Sequence, residues 1–475
     1  MFQLNEQSFY DKSEGTMLGV GADVRAAELG FSWRSEPYAW FVVAVLTVAS
    51  TLSMADRMLL VLLVEPIKHD LLLSDTQISL LQGFAFTLLY ATCGLLLGQA
   101  ADRSNRRFIM AASIFGWSLA TAGCGFAGSF AQLFVGRVSV GVGEAGLAPA
   151  ATSTIMDYFP PQRAARPIAC VSLGSVAGNG MALILGALLI QTIHTMGPFS
   201  IPGLVTLRPW QSIFALAGAL GIVYSGLFFF VKEAPRHTNR SLEAERPETA
   251  PRDSLLVFLR RRWRLVGSQL LGVCLISLLV LALHSWLPTL FVRRFGSTAA
   301  AAGYAYGLAV LFGSLGGVIV AGFLGDALVS RGIRGVQHKI MTSAAILGFV
   351  PAIAAPLMHT MLASVLVAAV ANFFFAMIFP LSTVSLQLIT PNHLRGQIYA
   401  VYIMMSSIIA YACGPTIVAL FTDYVFKSPS QIHLSIVCTV ALVGPLGAFL
   451  INISRKEYVR VAPTVAKDPV VLEAT

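Results

Sequence analysis

The sequence predicts an all-α membrane protein, with twelve transmembrane helices in two pseudo-symmetric six-helix halves. Three observations carry that prediction. Hydrophobic residues make up 56% of the 475 and charged residues only 12%, where a soluble domain carries about a quarter charged. Apolar runs recur at membrane-crossing length without the alternation of barrel strands, so their backbone groups are satisfied in lipid only as helices. Short motifs also repeat at one fixed offset.

In chain order, the first half is expected to span 38–231, with helices at 38–64, 75–100, 106–127, 130–157, 166–191 and 209–231. The second half is expected over 262–454, with helices at 262–292, 301–326, 337–359, 361–388, 394–422 and 430–454. Residues 1–37 read as a cytoplasmic segment; they contain acids and no apolar stretch, so no cleavable signal peptide is expected. The polar stretch 232–261 reads as a cytoplasmic linker between halves, and 455–475 as a cytoplasmic tail. With both termini placed in the cytoplasm, cytoplasmic segments hold 25 Lys and Arg. Outside loops hold 5: Lys68, Arg208, Arg293, Arg294 and Lys427. That bias fits a multi-pass plasma-membrane protein, a bacterial inner membrane being the expected one. It turns the net charge of +9 into a topology signal rather than a nucleic-acid footprint.

The repeat is visible in Gly98–Asp102 (GQAAD) and Gly322–Asp326 (GFLGD), each after the second helix of its half and 224 residues apart. Lys232, Glu233 and Arg236 recur at the same offset as Lys456, Glu457 and Arg460. Duplicated halves with a site between them are a transporter architecture. The six cysteines all lie in apolar runs without metal-ligand spacing, so neither metal nor cofactor is expected. No H-E-x-x-H, no G-x-S-x-G and no nucleotide loop in context is present, which speaks against an enzyme.

Asp56 and Arg57 interrupt the first apolar run, roughly 12 Å from its end at 1.5 Å per residue. Isolated charges at that depth cost at least about 2.5–3.5 kcal/mol each. They therefore require partners, water or the bundle interior. Arg137 and Glu144 in the fourth run are two helical turns apart and share a face. One buried cluster of two acids and two bases is expected, neutral when ionised and unbalanced when a carboxylate takes a proton. Asp56 and Glu144 are the proton-coupling candidates; Arg57 and Arg137 are substrate or counter-ion candidates. The competing reading is a static buried ion network. Gly94/Gly98, Gly174/Gly178 and Gly313/Gly317 read as small-xxx-small helix contacts, and GVGEAG as helix packing rather than a phosphate loop.

At these residues the chain resembles a known family. GQAADRSNRR (98–107) is similar to the loop signature of the major facilitator superfamily, with Asn105 where a glycine is usual. ADR in the first run, SLLQG (79–83), WSLAT (117–121), GVGEA (141–145) and KEAPR (232–236) together resemble the spinster family. The resemblance implies a secondary transporter working by alternating access on an amphiphilic anion of lysophospholipid or sphingolipid type, with proton coupling. It implies that Asp56, Arg57, Arg137 and Glu144 form the working cluster. It further implies that Gly98, Asp102, Arg103 and Arg107, with Asp326 opposite, form a cytoplasmic conformational latch. The glycine–proline motif of drug antiporters is absent from the fifth helix, where GSVAGNG (174–180) stands.

Weaker candidates for the cavity wall are His284, Asn372 and Tyr402. DSLLVFLRRRWR (253–264) reads as a short interfacial helix with arginines at headgroup level. The expected partners are membrane lipids, an amphiphilic anion and protons, with no nucleic acid, and the expected state is a monomer. Two alternatives remain at this point: an organic-anion symporter of the same superfamily, and an uncoupled lipid scramblase or receptor.

Overall fold

A computed structural model describes residues 36–159, 165–197, 200–201, 205–233, 254–391 and 394–467. Among them, ten helices are long and apolar enough to cross a membrane. The first six predicted spans appear as follows. α1 is Glu36–Leu62, followed by a short α2, Val64–Leu71. α3, Asp75–Ser79, runs through a π-helical turn, Leu80–Phe84, into α4, Ala85–Arg103. Next come α5, Arg106–Cys124, α6, Phe130–Glu144, and α7, Leu147–Tyr158. α8 is Ala165–Met196 and α9 is Pro209–Ser225. A two-residue hairpin pairing of Ser200 with Thr206 and Ile201 with Val205 lies between them.

After the linker stand α10, Leu255–Arg261, α11, Ser268–Phe295, and α12, Ala299–Ser330. α13, Val336–Ala354, α14, Met361–Ala376, and α15, Ile378–Ile389, follow. α16, Arg395–Ser406, passes through a π-helical segment, Ser407–Cys413, into α17, Gly414–Leu420, and α18 is Ile432–Lys467. All twelve predicted segments are helical.

Three local differences from the sequence reading have physical causes. The predicted fourth helix is broken between α6 and α7 at Ala145–Gly146. Pro149 has no N–H to give the carbonyl of Ala145, and Gly141, Gly143 and Gly146 are weak helix formers. The connection after α1 forms the extra helix α2. Asn105, standing where a glycine is usual, takes an ordinary backbone conformation. It caps α5 with φ −66°, its side chain accepting from the Phe108 N–H at 3.1 Å.

Helices approach closely at two of the three predicted glycine pairs, Gly174/Gly178 and Gly313/Gly317, whereas a Cβ on Gly94 or Gly98 would meet nothing closer than 3.7 Å. A Cβ on Gly317 would come within 2.1 Å of the Phe373 carbonyl oxygen, so α12 and α14 touch backbone to backbone only because that position is bare. Buried apolar side chains of both helix sets merge into one cluster. A second cluster lies among α1, α4, α5, α6 and α7, with Phe228 and Val231 just after α9.

The two ends of the bundle differ. At the end carrying the chain termini, ion pairs stay within one helix set: Arg106 binds Asp157 and stands 3.4 Å from Glu233. At the opposite, distal end, Arg293 of α11 grips Asp75 through both terminal nitrogens at 2.7 Å and Glu65 through Nε at 2.7 Å. Lys68 holds Asp75 from the other side at 2.5 Å, and the Thr76 N–H and hydroxyl both donate to Asp423 at 2.7 Å. Among the described residues, the hydrogen bonds and ion pairs that join the two helix sets all lie toward this distal end.

Candidate functional site

The four charges predicted to meet do meet. Arg57 and Glu144 form one pair: Nη2 lies 2.6 Å and Nε 2.8 Å from Glu144 Oε2, to which the Ser53 hydroxyl also donates at 2.5 Å. Asp56 forms the other. Its Oδ1 accepts from the Thr121 hydroxyl at 2.7 Å, and its Oδ2 faces Arg137 Nη1 at 3.5 Å. Arg137 also reaches the Asp56 carbonyl at 3.5 Å. Adjacent positions on α1 point about 100° apart, which is why Asp56 turns to α5 and α6 while Arg57 turns toward α4.

All four are buried, Arg137 completely and Glu144 to 3% exposure. Yet the cluster is incompletely bonded. Asp56 Oδ2, Glu144 Oε1, and Arg137 Nε and Nη2 are buried without a hydrogen-bond partner among the described residues. The Arg57 guanidinium is further enclosed by aromatic rings, its Cζ lying 4.2 Å from the Phe86 centroid, 5.2 Å from Tyr90 and 5.5 Å from Tyr411. Such faces stabilise a desolvated cation by roughly 1–2 kcal/mol. Tyr411 comes from the second helix set, so Arg57 sits at the junction of the two.

That junction has an unusual backbone. The π-helical turn Leu80–Phe84 faces the π-helical segment Ser407–Cys413, and a Cβ on Gly83 would stand 1.7 Å from the Tyr411 carbonyl oxygen. Single π turns inside α-helices concentrate at functional sites. A string of cavities starts here and follows α1 toward the distal end. The first is small and lined by Arg57, Met58, Val61, Gln82, Ser285 and Tyr411. The second, of about 220 Å³, shares Val61 with it and extends over Pro66, Pro288 and Thr298. The third, of about 1010 Å³, shares Pro66 and Thr298 with the second and is walled by Ile190, Ile193, Trp210 and Ile213.

The weaker predicted candidates lie elsewhere. His284 and Asn372 are buried and bond each other, Nε2 to Oδ1 at 2.9 Å. Tyr402 is buried against Tyr399, with ring centroids 6.3 Å apart. None of the three lines the cavities along α1. Of the latch candidates, Gly98 faces Pro149, and the Asp102 side chain lies outside the described residues. Arg103 and Asp326 are exposed. Arg107 donates its N–H to Glu233 at 3.0 Å and an Nη1 hydrogen to the Val231 carbonyl at 3.3 Å, both within the first helix set. Arg236 lies outside the described residues.

Sequence reasoning missed the partners and the distal cluster. Ser53, one turn before Arg57, and Thr121 in WSLAT are polar residues on otherwise apolar faces, a signal that was available. Asp75, Glu65, Lys68 and Arg293 all stand at predicted helix ends or in the loops beside them, where charges are ordinary, so only the three-dimensional meeting distinguishes them.

Residues 46–415 match the family described as the Major Facilitator Superfamily. An MFS-type efflux pump of Mycolicibacterium smegmatis is 31% identical over 306 residues, 64% of this chain and 66% of that protein, so the chain spans just under two thirds of that relative's length. The hexuronate transporter of Bacillus subtilis is 24% identical over 319 residues, 65% of this chain and 71% of that protein. Among solved structures, a bacterial homologue of the human lysosomal transporter spinster, inward-facing and unoccupied, matches with a TM-score of 0.74 at 24% identity, covering 89% of this chain and 98% of that one. These relatives are named as transporters, not enzymes. The chain is a multi-pass membrane protein that belongs to the major facilitator superfamily, with the fold of a spinster homologue.

Proposed function

We propose that this chain is a proton-coupled secondary transporter of an amphiphilic anion of lysophospholipid or sphingolipid class. The observation that carries the reading is Arg57, a buried cation at the junction of the two helix sets, standing at the head of a cavity string that ends in an apolar crevice. A headgroup at Arg57 and a tail along α1 match that gradient from charged to apolar. Buried ionisable groups at membrane depth favour such a role over a structural one.

In the proposed cycle Glu144 holds Arg57 and Asp56 faces Arg137 in the state described here, with the distal end closed. An arriving anion competes with Glu144 for Arg57. A proton on Asp56 or Glu144 leaves an arginine without its counter-charge and shifts the population of orientations. Complete reversal from 1:99 to 99:1 requires about 5.5 kcal/mol of differential binding, drawn from proton and substrate together. The two helix sets, 38–231 and 262–454, rock about the junction. When the distal contacts part, Asp102, Arg103 and Arg107 near Gly98, with Asp326 opposite, close the other end as a latch. The Lys and Arg bias supports cytoplasmic termini in a bacterial inner membrane, and the site is complete within one chain, which supports a monomer.

A second reading, a small organic-anion symporter, is favoured by the hexuronate transporter resemblance. Proteoliposomes with an internal pH dye distinguish the two. Lysophosphatidate-dependent proton flux, lost in Asp56→Asn and absent from empty liposomes, supports the amphiphile reading. Flux with hexuronate alone moves the substrate to the second reading. Ligand binding without proton flux leaves an uncoupled scramblase or receptor.

A further inference from the structure

Gln82 is the residue that the cluster itself does not explain. It stands on the π-helical turn of Leu80–Phe84, is 7% exposed, and neither its Nε2 nor its Oε1 has a hydrogen-bond partner among the described residues. An amide buried without partners is destabilising, and native structures rarely leave one so without a reason. Gln82 lines the same small cavity as Arg57, with Ser285 of α11 and Tyr411 on the opposite helix set. The π turn makes this placement possible, because an extra residue per turn rotates the following side chains relative to a regular α-helix. Gly83, next to it, lets the Tyr411 backbone come into contact with this turn.

We infer that Gln82 and Arg57 together form a headgroup site that selects an anion carrying a neighbouring hydrogen-bond donor, a hydroxyl or an ammonium. The inference deepens the transport reading above and rests on it. Its chemistry follows from the donor inventory. A guanidinium only donates, so Arg57 takes the anionic oxygens. The Gln82 amide accepts through Oε1 and donates through Nε2. Opposite an anion alone, its Oε1 would remain unpaired or face negative charge. A ligand with an O–H or N–H beside its anionic group satisfies both residues at once, and the Ser285 hydroxyl offers a further partner from the second helix set. Lysophospholipids and sphingoid phosphates carry that combination, and so do hexuronates; the shared element is a hydroxylated or aminated anion.

The test is equilibrium binding by calorimetry to the full chain in nanodiscs of zwitterionic lipid. The probes are oleoyl-lysophosphatidate, its analogue lacking the glycerol hydroxyl, and galacturonate. The variants are Gln82→Met, which keeps the side-chain length, Gln82→Leu as a second apolar replacement, and Arg57→Ala. The expected result is that Gln82→Met weakens oleoyl-lysophosphatidate about tenfold while the deoxy analogue keeps its wild-type affinity, because a site built to bond a hydroxyl discriminates against its absence. If galacturonate binds instead, the same tenfold loss is expected there, and the source is a sugar acid. Equal losses for the hydroxylated and deoxy probes, or no loss for either, make Gln82 a packing residue and overturn the inference. In that case, loss of all binding in Arg57→Ala leaves the transport reading standing. Failure of both oleoyl-lysophosphatidate and galacturonate to bind the wild-type protein overturns both.

Discussion

Two clusters of two acids and two bases stand along the same axis of this molecule, and they are built differently. The distal one, Glu65, Lys68, Asp75 and Arg293, is saturated. Arg293 meets Asp75 through a two-pronged pair at 2.7 Å and still has Nε for Glu65, while Lys68 takes the remaining approach to Asp75. The central one, Asp56, Arg57, Arg137 and Glu144, leaves four buried polar atoms without hydrogen bonds among the described residues, and its Asp56–Arg137 contact is 3.5 Å long. A fully satisfied buried network rigidifies, whereas a partly satisfied one has other arrangements of similar energy within reach. In the proposed transport cycle the two clusters do different work: the distal one holds an arrangement, and the central one changes it.

The largest effect is expected from Arg57→Ala. It strands Glu144 with the Ser53 hydroxyl as its remaining hydrogen-bond partner, which costs about 3–5 kcal/mol, and transport should fall at least about a hundredfold, the equivalent of 2.7 kcal/mol. The double variant Arg57→Ala/Glu144→Gln separates the two consequences. Thermal stability should return while transport stays absent. Recovered transport in the double variant would make the pair structural and erase the distinction between the clusters.

Next in size is Arg293→Gln. Asp75, fully buried, keeps Lys68 alone, and Glu65 loses its cross-set partner. Truncating one member of a hydrogen-bonded buried charge pair costs about 2–5 kcal/mol, here borne only by the distally closed arrangement. A cysteine at Thr289, buried on the second cavity, should then react with an impermeant maleimide at least about tenfold faster. An unchanged labelling rate would show that the apolar contacts alone close this end.

Asp56→Asn should act more mildly on stability and more selectively on coupling. Asparagine still accepts from Thr121 but carries no charge for Arg137, and so mimics the protonated acid. Proton-driven accumulation is expected to be lost together with its pH dependence, because the neutral side chain no longer takes up or releases a proton. Exchange of internal for external substrate, which needs no net proton movement, should persist. Loss of both would place Asp56 in folding or substrate binding rather than in coupling.

How much of this was legible beforehand follows the same division. The helices and the central cluster were readable because a charge inside an apolar run is expensive and restricts its own explanations. Helical spacing joined Arg137 to Glu144, and the cost of unpartnered charge at depth joined that pair to Asp56 and Arg57. The distal cluster was not readable, because Asp75 and Arg293 occupy helix ends where charges need no partner. Their meeting depends on how the two helix sets close on each other, which no local pattern records. Gln82 lay between these cases. It stands within SLLQG, a motif singled out for its resemblance, but its unsatisfied amide becomes visible only once the cavity wall is built. The break at Ala145–Gly146 was signalled by Pro149 and overlooked because the apolar run continued through it.

The smallest expected effect sharpens the comparison most. Thr121→Val and Thr76→Val each remove one hydroxyl bonded to a carboxylate at 2.7 Å, the first on Asp56 and the second on Asp423. Equal bond lengths suggest equal costs, but the surroundings differ. Asp423 Oδ2 keeps the Thr76 backbone N–H after the substitution, at 2.7 Å. Asp56 Oδ1 keeps nothing, and its Oδ2 already lacks a hydrogen bond. An acceptor stranded in a buried site costs about 1–3 kcal/mol, while one that retains a charge-assisted partner loses less. Thr121→Val should therefore lower the unfolding midpoint in detergent clearly, and Thr76→Val hardly at all. It should also weaken proton-driven accumulation, since the hydroxyl that holds the Asp56 carboxylate in place is gone. Thr76→Val leaves accumulation unchanged, and equal losses in both variants would mean that the central site and the distal contacts act as one.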